Sequence, residues 1–137
     1  MKRIIIITVA LLFGAHIEAQ QLTEIYYNDE TGVVLELCTN ENASTSYILS
    51  VPNNDLNDTY HQYIHADIGD RFDAWLNLWD IERFWSEKKK KLRSATGNWI
   101  EPYSKKVCRL YEPGDRCGDL TRKDLKGIMR ALKKFKE

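Results

Sequence analysis

Hydrophobic and polar residues alternate in three short segments of the chain, residues 22–28, 33–39 and 46–52. These segments are rich in β-branched and aromatic residues, and turn-like sequences separate them. In the second segment the apolar side chains of Val33, Leu35 and Leu37 share one face, which is typical of a strand buried on one side. The pattern predicts an antiparallel three-stranded meander. Residues 59–67 fit either a strand or a helix.

A helical period replaces the alternation after Gly69. The apolar residues of this segment fall on two nearly opposite faces: Phe72, Trp75, Leu76 and Trp79 on one, and Leu78, Ile81, Trp85 and Leu92 on the other. Asp70 suits the N-cap and Gly97 the C-terminal stop, and four lysines at 88–91 complement the helix dipole. We therefore expect one long aromatic helix that is covered by the sheet on one face and by another element on the other.

The remainder of the chain predicts one further strand and a second helix. Residues 107–111 alternate as a strand does, and Thr121 and Asp124 are spaced as the N-cap and N3 residues of a helix. Apolar residues then recur at the helical period: Leu125, Ile128, Met129, Leu132 and Phe135. Lysine and arginine fill most of the opposite face. Packing against the long helix is the favoured role for the apolar face, and binding to a membrane surface is the alternative.

These elements predict a single globular α+β domain over residues 20–137. We expect an N-terminal antiparallel three-stranded meander packed on a long aromatic helix, then one further strand and a C-terminal basic amphipathic helix. A length of 118 residues after position 19 is within the usual range of one domain, about 100 to 150 residues.

The first 19 residues resemble a secretory signal peptide. Lys2 and Arg3 precede an apolar run from residue 4 to residue 13, and small residues lead to a cleavage site after Ala19. The apolar run is shorter than the ~20 residues of a membrane-spanning helix. We therefore expect cleavage and export to a secreted or periplasmic location. In a eukaryote, Asn42 and Asn57 would be acceptors for N-glycosylation.

Three cysteines follow the predicted cleavage site, which leaves one sulfur without an internal partner. Cys108 and Cys117 flank a Pro-Gly turn sequence, and a chain that reverses there could join them. We therefore predict a Cys108–Cys117 disulfide, with a Cys38–Cys108 disulfide as the alternative. Export to an oxidising compartment would preserve either bond.

Charge is distributed unevenly along the predicted mature chain. Residues 20–82 contain twelve acidic side chains and one basic side chain, Arg71, whereas residues 83–137 contain seventeen basic and seven acidic ones. Such asymmetry often indicates a charged partner. It is also compatible with two halves of one domain that neutralise each other.

The sequence contains few patterns typical of catalysis. It has no Gly-rich phosphate-binding loop, no serine nucleophile elbow and no His-Glu-x-x-His zinc motif. His61 and His65 are spaced to share one face, and Asp58 or Asp67 could complete a metal site with them. We nevertheless predict no catalytic residue, no metal site and no cofactor.

The leading functional hypothesis is an exported noncatalytic binding protein, for example an inhibitor or immunity-type protein that occludes another protein. Its expected contacts are acidic and tyrosine side chains around one loop: Asp55, Asp58, Tyr60, Tyr63, Asp67 and Asp70. One alternative is a small exported hydrolase or metal-dependent enzyme that uses His61 and His65. Another is a protein associated with the cell envelope through its basic C-terminal helix. Nucleic acid is not an expected partner.

Overall fold

The structure, a computed structural model, describes residues 4–10, 17–86, 92–93 and 97–137. It is an α+β fold with two antiparallel sheets and two helices. The first sheet has five strands in chain order: β1 (Ile4–Ala10), β2 (Ile17–Tyr27), β3 (Val34–Thr39), β4 (Thr45–Pro52) and β5 (Tyr63–Gly69). The second has four, also in chain order: β6 (Leu92–Arg93), β7 (Trp99–Pro102), β8 (Val107–Tyr111) and β9 (Cys117–Thr121).

The two helices are α1 (Arg71–Ser86) and α2 (Arg122–Lys134). The inner face of the five-stranded sheet is apolar, as Leu35, Leu49 and Ile64 show by their nearly complete burial. Both helices and the second sheet contribute to the same core, through residues such as Leu78 of α1 and Ile128 of α2. One core therefore joins all the main elements of the described chain.

The sequence-based count of strands was too low. The predicted three-stranded meander is part of a five-stranded sheet, because residues 63–69 form β5 and residues 4–10 pair with β2. The predicted single further strand is one of four in the second sheet. Two of the additional strands, β6 and β7, are only two and four residues long, so they carry little periodic signal.

The long helix was also predicted with the wrong end. A helix that ran to Gly97 would include residues 92 and 93, which instead pair with Trp99 and Ile100 in the second sheet. Among the described residues, α1 extends from Arg71 to Ser86. The lysine run at 88–91 lies outside the described residues.

The predicted signal peptide overlaps the first sheet. Strand β1 and residues 17–19 of β2 fall within residues 1–19, so cleavage after Ala19 would leave a four-stranded sheet with β2 at its edge. Cleavage and export remain predictions. No helix in the described part of the chain is both long and apolar enough to cross a membrane.

Two glycines allow close packing at junctions of the fold. Gly69 joins β5 to α1 with a φ of +89°, and a Cβ atom there would lie 2.6 Å from the Cβ of Asp73. Gly118 of β9 packs where the two sheets meet, and a Cβ atom there would lie 2.3 Å from the carbonyl oxygen of Pro52. The second glycine therefore permits contact between the sheets that a larger residue would prevent.

A buried carboxylate attaches α2 to the first sheet. Asp124 is fully buried and accepts hydrogen bonds from the Tyr26 hydroxyl (2.5 Å) and the Asn28 amide (2.8 Å). Thr121, the N-cap of α2, donates its hydroxyl to Asp124 and accepts the Asp124 backbone N–H, both at 3.0 Å. One side chain thus completes the helix cap and joins the helix to β2.

Candidate functional site

The loop between β4 and β5 contains three of the predicted contact residues, Asp55, Asp58 and Tyr60. The Asp55 carboxylate accepts the backbone N–H of Asn57 at 3.0 Å. Tyr60 projects into solvent with 93% of its surface exposed. The loop therefore presents a tyrosine from a backbone that its own side chains hold in place.

Asp58 is the central acceptor in this loop. Its carboxylate lies 3.1 Å from the His61 Nδ1 atom and accepts the His61 backbone N–H at the same distance. Desolvation is the largest single effect and raises the pKa of Asp58, but the hydrogen bonds and the charge of His61, with a backbone hydrogen bond from Tyr60, together outweigh it and lower the pKa. The carboxylate therefore has a structural role within the loop.

The other predicted contacts lie along β5 and beyond it. Tyr63 and Asp67 point outward from β5, whereas Asp70 follows the strand and caps α1 by accepting the Asp73 N–H at 2.9 Å. Because β5 is about 20 Å long at ~3.3 Å per residue, Asp70 lies far from Asp55. The structure thus places the six residues in two regions, one at each end of the strand.

The two histidines line one shallow groove but have separate partners. His61 pairs with Asp58, and the Nδ1 atom of His65 lies 2.7 Å from the Ser50 hydroxyl. Glu112 and Arg116 line the same groove. Among the described residues, no group of three His, Cys, Asp or Glu side chains is arranged to hold a metal ion.

The most exposed apolar surface of α1 is formed by Phe72, Leu76 and Trp79. Their exposed fractions are 71%, 49% and 52%, and their spacing of four and three residues puts them on one helix face. We call these three residues the aromatic stripe. The expectation that both apolar faces of the helix are covered is therefore wrong for this face in the described structure. Exposed clusters of large apolar side chains are typical of interaction sites.

A narrow cleft lies beside the aromatic stripe, between α1, β5 and β7. It is a cavity of about 50 Å³, enough for a few water molecules or one slender side chain. Apolar residues of both sheets and of α1 form its interior: Leu49, Ala66, Ile81, Ile100 and Leu110. The exposed carboxylates of Asp67 and Asp80 also line it. The wall formed by Trp99 is supported by its parallel stacking on Tyr111, with ring centroids 5.1 Å apart.

The predicted Cys108–Cys117 disulfide is not formed, and all three cysteines are free. In the β8–β9 hairpin Cys108 pairs with Leu120, and Cys117 pairs with Tyr111, so the two sulfurs are three residues out of register. Cys108 is buried on the inner face, whereas Cys117 is on the other face. The Pro-Gly turn was placed correctly, but the strands beyond it separate the two cysteines.

Burial makes two of the thiols poor nucleophiles. Desolvation is the largest effect in both cases, raising the pKa of Cys108 to about 12 and that of Cys38 above its ordinary value. Because the thiolate is the reactive form, neither cysteine is suited to covalent catalysis at neutral pH.

The apolar face of α2 belongs to the core. Leu125, Ile128 and Leu132 are almost completely buried, and Phe135, just after the helix, is 7% exposed. A membrane surface would have to contact the remaining, basic face. The structure thus offers the aromatic stripe of α1, and not α2, as an exposed apolar helix face.

The sequence analysis identified every residue of the aromatic stripe but assigned the stripe to the core. The available signal was that α1 has two apolar faces while the predicted sheet could cover only one. The cleft was missed because it is formed by β7, a four-residue strand that the sequence did not reveal.

Comparisons with protein-family models, curated proteins and solved structures found no match for this chain.

Proposed function

We propose that this protein is an exported noncatalytic binding protein that occludes a surface of another protein, as an inhibitor or immunity-type protein does. The aromatic stripe carries this proposal, because a tryptophan and a phenylalanine are presented together on a regular helix. Tryptophan is strongly enriched among the residues that dominate binding energy at interfaces. Burial of a large side chain at such a site contributes about 1.5 to 3 kcal/mol.

The helix presents the aromatic stripe from a fixed position. On the opposite face of α1, Ala74, Leu78 and Ile81 are buried in the core. At the start of the helix, Arg71 donates a hydrogen bond to the carbonyl oxygen of Leu132 at 2.8 Å. A binding surface on a rigid element loses little conformational entropy when the partner arrives, which favours tight binding.

The loop with Asp55, Asp58 and Tyr60 is proposed as a second, smaller contact region. Leu56 and Tyr60 are exposed by 91% and 93%. Hydrogen bonds that Asp58 accepts hold the loop in shape, so it too is preorganised. This loop and the aromatic stripe lie at opposite ends of β5. A partner that touched both would therefore need an interface of at least standard size, about 800 Å² on each side.

Native mass spectrometry of the protein recovered from the cells that export it tests this function. Without reducing agent, we expect a complex of fixed stoichiometry with one other protein, and a chain that begins at Gln20. A spectrum that contains only the bare monomer, recorded at the protein concentration found with the producing cells, would contradict the binding function. A chain that retains residues 1–19 would contradict export by the predicted signal.

A further inference from the structure

The cleft beside the aromatic stripe combines an apolar interior with acidic side chains. Its interior includes Ile81, Ile100 and Leu110, which are 6% exposed or less. Asp67 and Asp80 are exposed and line the same cleft. Lysine and arginine side chains have the complementary form, since an apolar stem ends in a cation and buries along apolar surface while the charge stays near water.

The polar groups at this cleft are predominantly hydrogen-bond acceptors. Asp67 accepts the Gly69 N–H at 2.9 Å, which fixes the direction of its carboxylate. The side-chain nitrogen of Asn77 donates to the Ile68 carbonyl at 2.9 Å, which fixes the amide and leaves its oxygen, an acceptor, and one N–H for a ligand. An ammonium or guanidinium group supplies only donors, and therefore matches these groups.

On the side of the aromatic stripe nearer the cleft, the charge has the same sign as at the cleft, whereas exposed Arg83, four residues after Trp79, continues the line of the stripe. Asp73 and Asp80 are seven residues apart on α1, so they flank one side of the stripe. The segment that contains β2 to β5 and most of α1, residues 20–82, has twelve acidic residues and one basic residue. Residues 83–137 are basic and share the same core, so the local carboxylates, and not the charge of the whole molecule, would attract a basic segment to this site.

We infer that the partner presents a basic segment, and that one of its lysine or arginine side chains enters the cleft while apolar side chains cover the aromatic stripe. This inference rests on the proposed binding function. It assigns Asp67 and Asp80 to recognition of the cation, and the interior of the cleft to its apolar stem. Inhibitors and immunity-type proteins that bind a basic surface of their target would use such a site.

The n-butylammonium ion, which reproduces the lysine side chain, tests the cleft without the partner. In an NMR titration of the full chain at low salt, we expect saturable shifts of the Trp99 indole N–H and of the Ile81 and Ile100 methyl signals. n-Butanol should bind at least tenfold more weakly, and butyrate should give no saturable shift. Raising the salt concentration should weaken the interaction, because the carboxylates are exposed.

Isosteric variants complete the test. The double variant Asp67→Asn and Asp80→Asn should weaken n-butylammonium binding at least tenfold, whereas Asp29→Asn with Glu30→Gln, which neutralises two exposed carboxylates between β2 and β3, should leave it unchanged. Absent shifts, or equal affinities for the cation and the alcohol, would overturn the assignment of the cleft. Because this titration needs no partner, its failure would refute only the basic partner, whereas a missing complex in native mass spectrometry would refute the binding function itself.

Discussion

Replacing Asp124 by alanine should cost about 3 kcal/mol of the free energy of unfolding, because several donors lose their shared acceptor. The hydroxyl of Tyr26 and the amide of Asn28 would lose their acceptor. The N-terminal cap of α2 would lose one of its two hydrogen bonds, the one from the Thr121 hydroxyl to the Asp124 carboxylate. Urea unfolding followed by tryptophan fluorescence would measure the loss. The variant Asp124→Asn, which keeps the shape and one acceptor oxygen, should lose less.

The same carboxylate should make stability depend on pH in the acid range. Burial raises the pKa of Asp124, but hydrogen bonds from Tyr26, Asn28, Thr31 and Thr121 outweigh it and lower the pKa. A lowered pKa in the folded state contributes stability above the unfolded value of about 3.9, and that stability is lost as the pH falls through the folded value. The loss of stability at low pH should be smaller in the Asp124→Asn variant than in the unsubstituted protein. Equal acid loss in both proteins would contradict this role.

The alkaline range should show a separate loss of stability. Burial is the largest effect on Tyr26 and Tyr47, followed by hydrogen bonds to Asp124 and Glu137, and it raises each pKa to about 12. A tyrosine whose pKa is raised in the folded state contributes its full stabilisation when the pH is below the pKa of the unfolded state, near 10. That stabilisation is lost as the pH rises through the pKa of the folded state. Ionisation of the two tyrosines should therefore destabilise the fold between about pH 10 and pH 12. The Tyr26 part of this loss should be smaller in Asp124→Asn, which removes the negative charge beside the hydroxyl, whereas the Tyr47 part should remain.

Replacing Phe72 and Trp79 together by serine should reduce binding of the partner at least 100-fold and leave the fold nearly unchanged. Loss of one aromatic anchor at an interface typically costs about 2 kcal/mol or more, which corresponds to a factor of about 30, so the loss of two should exceed 100-fold. Both side chains are more than half exposed, so the free energy of unfolding should change by about 0.5 kcal/mol or less. Binding is measured with the partner found in the native complex.

Two control variants define the contact surface. Leu56→Ser with Tyr60→Ser removes apolar side chains that are even more exposed, at the other end of β5, and should reduce binding tenfold or less. Asp55→Asn with Asp58→Asn tests the acidic part of that loop, and unchanged binding would exclude it from the interface. If the variant with serine at positions 72 and 79 instead unfolded at a much lower urea concentration than the unsubstituted protein, the aromatic stripe would be a packed face and not an interface.

Local patterns predicted those parts of the fold that depend on nearby residues. Alternation in residues 33–39 located β3, and the Thr121 and Asp124 pair located the start of α2. Residues 59–67 were ambiguous because β5, which begins at Tyr63, alternates buried apolar residues with histidine and aspartate, and both histidines also fit one face of a helix. The four-residue β7 was missed because a strand of that length lacks a clear period.

The proposed binding surface depends on information that no local sequence pattern contains. The sequence showed that α1 has two apolar faces, but which of them is covered follows from the placement of β7 and α2. The Cys108–Cys117 prediction failed for a related reason, since the turn was located but the register and facing of the strands were not. The cleft combines residues from five elements, so only the tertiary structure brings Asp67 and Asp80 to the same site.

Photo-crosslinking from the aromatic stripe in the producing cells tests the central claim most directly. A photoreactive amino acid would replace Leu76, which is 49% exposed, and a matched protein would carry it in place of Lys126 on the exposed side of α2. We expect one dominant adduct from position 76, which is absent from position 126 and is lost when Phe72 and Trp79 are serine. The same adducts from both positions, or no adduct from position 76, would contradict it.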